Sequence, residues 1–76
     1  MEQALLTGRE VAQVLKVTPQ MVGLWRRRHQ IQATKPGKIW MYPADDVRRL
    51  ISARRRQTSP EAALERLRNL LDGERQ

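Results

Sequence analysis

Three consecutive arginines, Arg26, Arg27 and Arg28, close a segment that opens with Thr18, Pro19, Gln20 and Met21. Guanidinium groups grip phosphate oxygens, which fixes register but reads little sequence. A glutamine such as Gln20 can pair bidentately with adenine, and apolar side chains such as Met21 and Leu24 can touch thymine methyl groups. Leu24 follows a bare Gly23, and neither helps a solvated helix. Lys35 and Lys38 add cations on either side of Pro36-Gly37. These residues suit contact with a polyanion. The duller reading is a charged, solubilising helix followed by an ordinary turn.

Covalent chemistry has little to work with. There is no cysteine, hence no disulfide framework and no cysteine-based zinc site. The single histidine, His29, follows the arginines and has no carboxylate near it in sequence. Asp45 and Asp46 resemble paired carboxylates, but a position at a helix start explains them through the helix dipole. No Ser/His/Asp set, phosphate-binding loop or metal-ligand spacing is present. No catalytic residue, metal or cofactor is expected, and an enzyme is not the expected function.

Two short helices must carry the arginine segment. The first is predicted over Gly8 to about Lys16. Thr7 caps it and Glu10 completes a capping box, while Val11, Ala12 and Leu15 face inward. Lys16 and Val17 make the turn. Thr18 then caps a second helix with Pro19 in its first position, running to about His29. On a helical wheel Val22 and Trp25 point to the core, with His29 next in that line. Gln20, Gly23, Leu24, Arg27 and Arg28 point away, and Met21 and Arg26 lie at the borders. This is the grammar of a helix-turn-helix, whose second helix enters the DNA major groove.

Pro36-Gly37 suits the centre of a type II turn. Thr34-Lys35 and Lys38 to Tyr42 flank it, giving a small basic hairpin that reads as a wing. Trp40 and Tyr42 alternate onto one face and are expected to cover the core; stacking on a single-stranded base is the alternative. A third helix starts near Pro43-Ala44, with Val47, Leu50 and Ile51 as its stripe. Arg54 to Arg56 near its end either bind phosphate or form a solvated end. Ser59-Pro60-Glu61 opens a fourth helix, which Gly73 is expected to end.

The positive charge is localised. Of a net +7, residues 1–59 hold twelve Lys/Arg against four Asp/Glu, and residues 60–76 three against four. The expected fold is mainly α with a small β-hairpin wing: a winged helix-turn-helix in residues 1–56 plus a C-terminal amphipathic helix in 57–76. Leu64, Leu67 and Leu71 stripe that helix. They must pack on their own domain, on a second copy or on another protein, because an isolated helix this short is unstable. The longest apolar run, Ile39 to Tyr42, is far short of a membrane span. With no signal-peptide pattern at the N-terminus, the cytoplasm is the expected location and no membrane partner is expected.

Residues 5–52 resemble the excisionase family of small DNA-binding domains, relatives of the winged helix-turn-helix of MerR-type regulators. The carriers are Leu6-Thr7 with Glu10-Val11-Ala12, Val17-Thr18-Pro19, Val22 with Trp25, the basic hairpin ending in Tyr42-Pro43, and Asp46-Val47. The resemblance implies a second helix in the major groove and a wing in the adjacent minor groove. It places Thr18 and Gln20 near the groove floor, and Arg26 to Arg28, Lys35 and Lys38 on the backbone or wing. Gly23 and Leu24 depart from the family, which often has a basic or polar pair there. That departure implies modest base discrimination with a larger share from shape and phosphates.

Three functions compete. In the first, an excisionase-type directionality factor binds repeated sites on double-stranded DNA beside other copies of itself. It bends the DNA and steers a tyrosine or serine integrase toward excision. Such a protein is bacterial or phage-encoded and nucleoid-associated. The second is a small MerR-like or phage-type transcriptional regulator, dimeric through Leu64, Leu67 and Leu71. The third is a DNA-binding adaptor resembling a terminase small subunit.

Overall fold

The computed structural model describes residues 4–74. Strand β1 (Leu5–Thr7) leads directly into helix α1 (Gly8–Leu15). Thr7 is the hinge between them. Its hydroxyl accepts the Glu10 amide at 3.1 Å while the Glu10 carboxylate accepts the Thr7 amide at 2.8 Å, closing the expected capping box. Helix α1 stops at Lys16, which adopts a left-handed conformation at φ 58°. The amides of Lys16 and Val17 both reach back to the Ala12 carbonyl. Thr18 then starts α2 (Pro19–Arg27), its hydroxyl accepting the Met21 amide at 3.2 Å.

Helix α2 ends two residues short of the expected His29. His29 itself is left-handed at φ 61°, and the Gln30 amide reaches the Trp25 carbonyl at 2.8 Å. This is the reverse turn usually built on glycine after a helix. His29 is accordingly exposed rather than part of the core.

The wing is simpler than the sequence suggests. Residues 34–41 double back through one antiparallel bridge, in which Thr34 and Met41 exchange backbone hydrogen bonds of 2.8 and 2.7 Å. No glycine among the described residues has positive φ, so the type II turn expected at Pro36-Gly37 does not form. Strand β2 (Met41–Pro43) pairs antiparallel with β1, Leu6 opposite Tyr42, and meets the stretch before the turn only through the Met41 bridge. Strand β1 is therefore stitched to the exit of this loop, and the fold is mainly helical with a small two-stranded sheet.

Helix α3 (Ala44–Ala53) follows β2 without a break. Helix α4 (Pro60–Glu74) follows Ser59, whose carbonyl accepts the Ala63 amide at 3.0 Å. Gly73 lies inside the last turn instead of ending the helix. One core joins all these elements. Val11, Val14 and Leu15 of α1, Val22 and Trp25 of α2, Val47, Leu50 and Ile51 of α3, and Ala63 and Leu67 of α4 are buried together with Leu6, Ile31 and Tyr42. Burying each such side chain contributes roughly 1.5–3 kcal/mol. The Arg66 Nε donates to the Val14 carbonyl at 2.8 Å, satisfying an open backbone acceptor near the end of α1. Helix α4 thus packs as part of the domain, against α1 and α3.

Candidate nucleic-acid interface

The turn between α1 and α2 is held by backbone and cap hydrogen bonds, and α2 is docked by Val22 and Trp25. This leaves one side of α2 open. Gln20, Arg27 and Arg28 are exposed, and Met21 retains 40% of its surface. Gly23 and Leu24 are half-buried. A Cβ built on Gly23 would meet nothing within 4 Å, so no packing within the chain calls for glycine there. Thr18 is exposed, but its hydroxyl is already committed to the cap. Gln20, Arg27 and Arg28 are exposed as expected for this face, whereas Gly23 and Leu24 are half-covered.

Arg26 also reaches the loop that follows α2. Its guanidinium lies over the Trp40 ring at 4.3 Å from the centroid, with the Lys35 ammonium 5.4 Å from the same ring. The Arg26 Nε is buried without a hydrogen-bond partner. Cation–π attraction to Trp40 offsets part of that cost. Trp40 therefore does not join Tyr42 in the core. It is 38% exposed, whereas Tyr42 is 3% exposed. The alternation argument holds only within a strand, and the strand begins one residue later, at Met41.

This stack ties the wing to α2. Between them lies a cleft of about 470 Å³, lined by Arg26, Arg27, His29, Ile31, Gln32, Ala33 and Trp40. Lys35 and Lys38 are exposed on the loop beyond it. The base of the loop is fixed by Asp46. Its Oδ2 accepts the Gln32 amide at 2.6 Å, and its Oδ1 lies 3.2 Å from Arg49. Sequence reasoning gave Asp46 only a dipole role. Nothing in the spacing of residues 32 and 46 signals a contact between them.

The other basic cluster divides. Arg54 is half-buried with its guanidinium 4.5 Å from the Trp25 centroid, so it braces α3 against α2. Arg55 and Arg56 are exposed. On α4, Leu64 is 41% exposed and Leu71 is half-buried, but Leu67 is 1% exposed. Leu67 is therefore a core residue and drops out of the expected partner-contact set. The seam of three leucines is broken at its centre.

Exposed cations, an open helix face and a braced loop gather on the elements that precede α4. A family model described as a helix-turn-helix domain matches residues 5–55, from β1 through the end of α3. The chain belongs to the helix-turn-helix domain family. It is a DNA-binding helix-turn-helix protein. The match covers the turn, α2, the loop that carries Lys35 and Lys38, and Asp46, and stops before α4. Comparison with curated proteins and with solved structures gave no significant match. Among the described residues no helix is long and apolar enough to cross a membrane, and no three His, Cys, Asp or Glu side chains are grouped to hold a metal ion.

Proposed function

We propose that this helix-turn-helix protein is an excisionase-type directionality factor. It places α2 in the major groove of double-stranded DNA and the 34–41 loop in the adjacent minor groove. Gln20, Met21, Gly23 and Leu24 face the bases. Arg27, Arg28, Lys35 and Lys38 hold phosphates, and Thr18 presents the start of the helix. Arg26 acts chiefly by fixing the wing through Trp40. Copies assemble side by side on repeated sites, bend the DNA and direct a tyrosine or serine integrase toward excision. Residues 1–56 supply the DNA contacts and the outer face of α4 a protein contact, in the bacterial cytoplasm.

The burial of Leu67 carries the preference for side-by-side assembly. A coiled-coil dimer through α4 needs a continuous apolar seam, and the burial of Leu67 interrupts the Leu64, Leu67 and Leu71 stripe. The second reading, a dimeric MerR-like or phage-type regulator, draws on the shallow groove between α3 and α4. Its rim mixes Arg48 and Arg68 with Glu61, Glu65 and Asp72, which suits a self-complementary contact. Binding to tandem and to inverted copies of a selected site separates the two. Cooperative binding to direct repeats, with a bend that grows as each copy loads, is expected. Preference for inverted repeats at a fixed spacing would replace the directionality factor with the regulator.

A further inference from the structure

Ile39 is 59% exposed, the most exposed of the large hydrophobic side chains among the described residues. A lone exposed isoleucine is ordinary on a protein surface. Its surroundings here are not. It sits in the loop closed by the Thr34–Met41 bridge, directly after the exposed Lys38 and four residues after Lys35. Directly behind it in sequence, Trp40 is fixed by Arg26 of α2 and flanked by Lys35. The apolar group is thus carried on a braced loop that also bears two exposed lysines.

The charge of that loop attracts a polyanion and disfavours an apolar protein surface or a second cationic copy of the same loop. The minor groove, where the proposed function seats this loop, offers no thymine methyl group, so the apolar region open to such a group there is the stack between base pairs. Bulky aliphatic side chains inserted there unstack a step and kink the duplex. A wedge must also be backed by something that does not yield, and the Arg26–Trp40 stack couples Ile39 to the helix that holds the protein in place.

We propose that Ile39 is an apolar wedge that inserts into a base step of the bound duplex, with Trp40 as its support. The proposal rests on the DNA-binding reading and adds a residue and a mechanism of bending to it. Pyrimidine–purine steps, the easiest to unstack, are the preferred substrate.

The test uses the full chain and a selected duplex carrying 2-aminopurine at one position at a time. Binding is followed by anisotropy of a terminal dye and unstacking by 2-aminopurine fluorescence. The wild-type protein is expected to raise the fluorescence roughly twofold or more at one step on the wing side of the site. Ile39→Ala is expected to abolish that rise and reduce the bend while keeping affinity within about tenfold, because the phosphate contacts remain. Ile39→Leu should retain the rise. A thermal melt of Ile39→Ala equal to wild type confirms that folding is intact. Binding with no rise at any position, or a rise that persists in Ile39→Ala, would overturn the wedge while leaving DNA binding in place. Loss of cooperativity between copies, with fluorescence still raised, would assign Ile39 to a protein contact instead. No anisotropy change with any duplex would overturn the DNA-binding reading itself.

Discussion

Gly23 separates what the fold needs from what a ligand needs. It lies mid-helix in α2 with open space where a side chain would be. Glycine inside a helix costs roughly 0.5–1 kcal/mol relative to alanine. Gly23→Ala is therefore expected to raise the melting temperature by several degrees, on the order of 4–8 °C per kcal/mol in a domain this small. The same methyl stands on the face assigned to the groove, so DNA affinity should fall. Calorimetry and anisotropy on one variant check both. A gain in stability with unchanged binding would take Gly23 off the interface. At this scale the sequence was legible where local rules apply. The Thr7–Glu10 box, the Thr18 cap and the inward Val22 and Trp25 follow from spacing alone. Contacts across the chain were not legible: Asp46 to Gln32, Arg66 to Val14, and the two arginine–tryptophan stacks join residues that no periodicity relates.

Among the elements, α4 is the one whose role the structure changes most. Sequence pattern left it free to pack on its own domain or on a partner. Ala63 and Leu67 bury it in the core, and Arg66 closes the end of α1. Leu67→Ala should cost about 2–5 kcal/mol, as truncation of a buried leucine does, and Leu64→Ala much less. Urea titration of the two variants gives the comparison, and equal small losses would return Leu67 to the surface. The helices were legible because side-chain caps mark the starts of α1, α2 and α4 and apolar stripes mark the faces. The sheet was not. Three residues before α1 and three before α3 are too short to show alternation, and their pairing is set by where α1 and α3 pack. The wing was therefore expected as a ladder around Pro36-Gly37, whereas it is a loop closed by one bridge and braced by Trp40.

Across the whole molecule, the positive charge is segregated from α4. The excess of Lys/Arg lies in residues 1–59, the stretch that also holds the open face of α2 and the wing, while the nearly balanced α4 packs behind α1 and α3. Such a distribution makes binding fall steeply with salt, by about 0.9 in log–log slope for each phosphate neutralised. Replacing Arg27 and Arg28 by alanine should flatten the slope by about two, one for each contact, and weaken all duplexes alike. An unchanged slope would put both arginines outside the interface. The central claim is that α2 reads DNA through its open face. Selection of duplexes from a random library at near-physiological salt tests it most directly, run in parallel on wild type and on the Gln20→Ala, Leu24→Ala double variant. Expected is one enriched sequence for wild type, lost or relaxed in the variant, with both proteins still binding at low salt. The same enriched sequence from both proteins would contradict the claim, because it would show that another surface reads the DNA.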